Sequence, residues 1–171
     1  MLTSSPEPSF PDMLRRMDLA ISLIRQGVRP PITARLTALP GSALRKIWEQ
    51  IHNKSAPRGQ FPPDATRILI ATGAAIEAAV WYAVYSRCAE VEHLSFRTRI
   101  IPELLIRSHR IYRFECHNHR LNLQQTYFIA RDLVTQLLNT RYCPSCRVHY
   151  FYHLQAGLVT CPFCTKKTPA S

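Results

Sequence analysis

Apolar residues recur every three or four positions through the first half of the chain, the period of helices that bury one face. Leu14, Met17, Ile21 and Ile24 mark the first stripe, with Arg15, Arg16 and Arg25 largely on other faces. Asp12 stands where an N-cap is wanted, and Gly27 where such a helix should stop. Pro30-Pro31 suits the start of a second, short helix through Ile32, Ala34, Leu36 and Leu39, because a proline there gives up only an amide that has no helical partner. Pro40-Gly41 then breaks the chain. A third helix is predicted from Ser42, whose hydroxyl can accept a bond from a first-turn amide, and Leu44, Ile47, Trp48 and Ile51 form its stripe.

From Asp64 the pattern predicts one long helix carrying Ala71, Ala74, Ala75, Ala78 and Ala79, with Trp81, Tyr82 and Tyr85 near its end. Small residues let another helix approach closely, and the aromatic group reads as core or subunit interface. Ile68 to Tyr85 is long and mostly apolar, yet Glu77 lies mid-segment and alanine dominates, which opposes membrane insertion. Pro102 opens a further helical stretch and Leu121 to Asn139 another. The period then shortens to two. Arg147-Val-His-Tyr-Phe-Tyr-His153 alternates like a strand before Gly157 lets the chain fold back into Leu158-Val-Thr160.

That strand lies between two paired thiols, Cys143-Pro-Ser-Cys146 and, fourteen residues later, Cys161-Pro-Phe-Cys164. Zinc prefers a closed tetrahedron of soft ligands, and each pair can grip one edge of it from a tight turn. One structural Zn2+ per chain is expected, held by Cys143, Cys146, Cys161 and Cys164. So short a module buries little apolar surface, so metal binding should supply much of its folding free energy, on the order of 10 kcal/mol for comparable sites. Other readings remain. Two disulfides would need an oxidising compartment, to which nothing directs the chain. A thioredoxin-like pair would sit alone between a strand and a helix. A catalytic zinc would keep one position open for water. His149 or His153 can replace a ligand, and Cys116-His-Asn-His119 imitates a second clamp, while Cys88 reads as a small buried apolar side chain.

Charge adds a partner class. The formal net charge is +11, with no basic start and apolar run of a signal peptide, so a basic cytoplasmic protein with phosphate-bearing partners is expected. Between Arg25 and Arg67 eight Lys and Arg residues face only Glu49 and Asp64, a local balance of +6. Helix, short turn with glycine, helix is the outline of a helix-turn-helix DNA reader, although a plain helical hairpin with a solvated face has the same pattern. In the DNA reading Arg45, Lys46, Gln50 and Asn53 occupy the polar face of the third helix, beside Glu49, and Arg29, Arg35 and Arg58 are further candidates for phosphate contact. Arg58 belongs to an extended loop, Ser55-Ala-Pro-Arg-Gly-Gln-Phe-Pro-Pro63. No catalytic carboxylate pair, phosphate-binding glycine loop or nucleophile pattern is evident, so an enzyme is not expected.

The chain resembles the C subunit of the flagellar master regulator, the bacterial activator of flagellar operons. The likeness rests on Leu23-Ile-Arg-Gln-Gly-Val-Arg29, Leu36-Thr-Ala-Leu39, Leu44-Arg-Lys-Ile47, Ala56-Pro-Arg-Gly-Gln-Phe-Pro62 and the two terminal cysteine pairs. It implies a mainly helical protein that joins a D-type partner subunit in a hetero-oligomer, binds promoter DNA and recruits RNA polymerase. It also implies that the four cysteines hold zinc. The expected architecture is therefore mainly α: a flexible tail over residues 1–11, a helical DNA- and partner-binding body over 12–138 with a helix-turn-helix-like N-terminal part, and a small C-terminal four-cysteine zinc-ribbon-like module over 139–171. Two other functions compete with it. One is a zinc-stabilised interaction subunit that does not touch DNA; the other is an RNA-binding ribbon that stacks bases on Tyr150, Phe151 and Tyr152.

Overall fold

Three short helices form the first unit: α1 (Phe10–Arg25), α2 (Pro30–Thr37) and α3 (Gly41–His52). The computed structural model describes residues 9–153 and 155–167, so most of the tail expected over 1–11 lies outside the described residues. At Phe10 the chain is already helical. Ser9, not Asp12, caps α1: its Oγ accepts from the Asp12 amide at 3.4 Å and donates to the Asp12 carboxylate at 2.8 Å. Asp12 sits inside the first turn, where its charge faces the positive helix end.

Gly27 ends α1 as expected. It adopts a left-handed φ of 81°, and two reversed bonds close the turn, Gly27 N–H to the Ile24 carbonyl at 2.8 Å and Val28 N–H to the Leu23 carbonyl at 3.1 Å. α2 stops at Thr37, short of Leu39, because Ala38 turns left-handed (φ 56°) and Leu39 drops into the core from the loop. The turn Ala38-Leu39-Pro40 contains no glycine; Gly41 is already helical. Ser42 is therefore an exposed first-turn residue, not the cap expected of it, and Pro40 occupies the N-cap without a side-chain bond. The predicted stripe holds: Leu44 and Trp48 are buried with Ala20, Ile24 and Leu39, and Ile47 and Ile51 pack against them. His52 Nε2 lies 2.9 Å from the Ile24 carbonyl, tying α3 to α1.

The second unit, Gly59–Ser171, contains α4 (Thr66–Leu69), α5 (Thr72–Val91), α6 (Pro102–Glu115), α7 (Leu123–Val134), β1 (Asn139–Cys143), β2 (Val148–Tyr152) and α8 (Pro162–Lys167). The single long helix predicted from Asp64 is two. α4 is tethered at its start, where the Ala65 amide donates to the buried Asp132 carboxylate at 2.5 Å, and the backbone passes through extended Ala71 before α5 begins. α5 buries Trp81, Tyr82 and Tyr85, in accord with the core reading. Among the described residues no helix is long and apolar enough to cross a membrane. Glu77 is instead a joint between elements: it accepts the Tyr112 hydroxyl and the Arg120 amide, the latter at 2.6 Å. α6 buries His109, whose Nε2 meets the Leu121 carbonyl at 3.1 Å, and burial holds this imidazole below its usual pKa.

α7 is shorter than the expected Leu121 to Asn139. A reciprocal Asn122–Gln125 box opens it, and left-handed Gln136 (φ 59°) ends its path, so Asn139 starts a strand. That strand is the partner of β2. β1 and β2 are antiparallel, from Cys143 opposite Val148 to Asn139 opposite Tyr152, whereas among the described residues the expected return through Leu158-Val-Thr160 makes a single bridge, His153 to Leu158. The ribbon lies against α5, with the Phe151 and Tyr82 rings 5.6 Å apart at a steep angle.

Candidate metal centre and nucleic-acid face

The candidate metal centre is built from two unlike corners. Cys143 ends β1 and Cys146 closes the hairpin, where Arg147 turns left-handed (φ 56°) and its amide returns to the Cys143 carbonyl at 2.7 Å. The backbone amides of Cys146 and Ser145 face the Cys143 sulfur, and the first of these bonds chiefly draws that thiol down to about 7. Cys161 precedes α8 and Cys164 lies in its first turn, with the Cys164 amide 3.1 Å from the Cys161 carbonyl. A proline follows the first cysteine of both pairs, yet one pair sits in a hairpin and the other at the entry to a helix.

The four sulfurs lie within 4.8 Å of one another, with Cys143 to Cys164 at 3.6 Å and Cys146 to Cys164 at 3.4 Å. A zinc tetrahedron with bonds of about 2.3 Å has sulfur-to-sulfur edges of about 3.8 Å, so the cluster fits such an ion with little movement. Cys143 and Cys161 are buried beside Tyr150, and Val148 and Phe163 pack around them. Crowding also explains the electrostatics. A hydrogen bond with Cys146, followed by one with Cys143, pushes the Cys164 thiol up to about 12. Four thiolates cannot share this space without a cation, and a divalent ion supplies the compensating charge. Cys143, Cys146, Cys161 and Cys164 would hold it, and four sulfurs leave no open position for water.

The other candidate ligands are placed elsewhere. His153 Nδ1 accepts the Ala156 amide at 3.2 Å within its own loop, and His149 lies across the strand pair from Tyr142, their rings 5.4 Å apart. Cys116 terminates α6, outside the only cluster of potential metal ligands among the described residues. Cys88 is half-buried, less enclosed than expected. Tyr150 and Phe151 are buried at 8% and 5% exposure, which removes two of the three rings proposed for base stacking. Arg141 covers the third, its guanidinium 3.5 Å from the Tyr152 ring centre. Two features of the metal corner escape sequence reasoning, the left-handed Arg147 and the amides aimed at Cys143. Neither has a residue-type signature, since glycine is the usual mark of such a turn.

The first unit presents the basic face. Burial of Leu44 and Trp48 turns Arg45, Lys46, Glu49 and Gln50 to solvent, and exposed Asn53 ends the ridge as a left-handed helix cap. Lys46 and Gln50 lie four positions apart on α3, so their side chains are neighbours along one line of the helix. Arg35 and Arg58 are also exposed, whereas Arg29 is half-buried at the N-cap of α2. Ala56 packs into the core cluster and anchors the segment that carries Arg58.

A family model described as Flagellar transcriptional activator (FlhC) matches residues 9–171 of the chain. The Flagellar transcriptional regulator FlhC of Sodalis glossinidius (strain morsitans) is 27% identical over 158 residues, which cover 88% of this chain and 77% of that protein.

Proposed function

The chain belongs to the FlhC family of flagellar transcriptional activators, and from that premise we propose that it activates flagellar operons by binding promoter DNA in a hetero-oligomer with a D-type partner subunit and recruiting RNA polymerase, in the cytoplasm. The observation that carries the DNA-binding part is the outward face of α3, where an apolar stripe fixes the helix and leaves Arg45, Lys46, Gln50 and Asn53 in solvent. Arg45 and Lys46 supply charge for phosphates, and Gln50 and Asn53 supply the paired donor and acceptor that read adenine edges. Arg29, Arg35 and Arg58 add positive charge around this helix. The ion held by Cys143, Cys146, Cys161 and Cys164 is Zn2+ in this reading, because an all-thiolate tetrahedron suits it, and its role is structural.

Footprinting of the chain with its D-type partner on a flagellar promoter tests the function as a whole. Replacing Arg45 and Lys46 by Ala should weaken binding and flatten the salt dependence, by up to about 0.9 in log–log slope for each phosphate no longer neutralised. Unchanged affinity and slope would remove α3 from the account. If the complex and the D-type partner by itself protect promoter DNA equally while the isolated chain does not, the reading gives way to an interaction subunit whose partner alone touches DNA.

A further inference from the structure

The second unit also carries a basic face, and none of the residues considered above for DNA lies on it. Six arginines lie between Arg97 and Arg120 with Glu103 and Glu115 in the same segment, a sequence balance of +4 that ion pairs with Glu77 and Glu92 lower to +2. α6 holds the middle of this segment. Its inner side is settled by Leu104, Leu105, Ser108, His109 and Tyr112, all buried. Arg110 and Arg113 are consequently exposed on the outer side, with Ile111 at 39% and Phe114 at 81% exposure. Arg107 stands one turn earlier, paired with Glu92, and Arg120 is held by Glu77. From Arg110 to Arg113 the helix advances about 4.5 Å, less than one turn, and both long side chains are exposed on the outer side.

We infer that the outer face of α6 is a second duplex-DNA contact, in which Arg110 and Arg113 bind backbone phosphates and Phe114 lies against the sugar–phosphate edge. The inference rests on the promoter-binding reading and extends it to the unit that holds the metal. Charge complementarity selects the occupant. An arginine pair with no acidic neighbour in the second half of the helix until Glu115 suits a polyanion, and such contacts are read from the backbone, with no dependence on base sequence. The guanidinium fork also matches phosphate oxygens in two-point fashion.

The test uses the full chain co-purified with its D-type partner and a fluorescent promoter duplex, titrated across a salt series. Arg110→Gln/Arg113→Gln should flatten the log–log salt slope by about 0.9 for each arginine–phosphate pair removed, and should weaken promoter and scrambled duplexes by the same factor. Gln50→Ala/Asn53→Ala, by contrast, should narrow the difference between the two duplexes. If the wild-type complex binds but the α6 variant keeps the wild-type slope, the inference is overturned while the α3 reading survives. If the wild-type complex does not bind promoter DNA, the underlying reading itself has failed. Phe114→Ala should still co-purify with the partner subunit; loss of the partner would overturn the inference in favour of a protein interface.

Discussion

The three-helix unit and the metal ribbon solve the same problem, too little chain for a large core, by different means. α1, α2 and α3 interlock around Ala20, Ile24, Leu39, Leu44 and Trp48, and that cluster is assembled within a few dozen residues of chain. The ribbon has two five-residue strands and a small cluster around Cys143, Tyr150 and Cys161. It therefore depends on four thiols and on the apolar side of α5, where Tyr82 meets Phe151. One region is stabilised by side chains that can be exchanged in part. In the zinc reading, the other hangs on ligands that cannot.

Metal removal should separate them most sharply. Pure protein is expected to contain about one zinc per chain, and chelation or Cys143→Ser should collapse the NMR amide signals of β1, β2 and α8 while those of α1 to α3 persist. The lost stability is on the order of 10 kcal/mol by comparison with zinc-finger sites. A ribbon with native signals and no metal would refute the dependence. The cover that α5 gives the ribbon is invisible in the sequence, which assigns the module's stability mainly to the ion.

The converse experiment is Trp48→Ala, which empties the centre of the first cluster and should cost about 3–5 kcal/mol in urea unfolding followed by circular dichroism. Zinc content should stay at the wild-type level. A proportional fall in bound metal would show that the two regions do not fold independently. The smallest effect belongs to the helix start. Ser9→Ala should lower stability by about 0.5 kcal/mol, the low end for an N-cap, because the Ser9–Asp12 amide bond is long at 3.4 Å. A drop several times larger would mean that the Ser9–Asp12 pair does more than cap.

Helices with one apolar stripe and clear stops were legible. α1 ends at Gly27 and α3 buries Leu44 and Trp48 because those signals are local, set by the 3.6-residue period and by glycine's tolerance of positive φ. Boundaries decided by distant partners were not. The interruption between α4 and α5 accompanies the bond from Ala65 to Asp132, and α7 ends early where Gln136 turns left-handed, so neither leaves a mark in the nearby residues. The strand pairing failed for a related reason. An alternating segment announces a strand but carries no information about which neighbour it joins, and β2 pairs with the chain before it.

By itself the sequence determined the residue chemistry: four thiols in two tight pairs, a basic excess, and the buried face of α3, since each of these needs only neighbours within a turn or two; in α1 the buried face is Ala20, Leu23 and Ile24, and Leu14 of the expected stripe is exposed. Tertiary structure alone decided that the four sulfurs converge within 4.8 Å, that β1 is the ribbon's partner, that Tyr150 and Phe151 are inside and that Arg110 and Arg113 are outside. Those outcomes depend on contacts between residues far apart along the chain, whose closure is governed by the packing of whole elements.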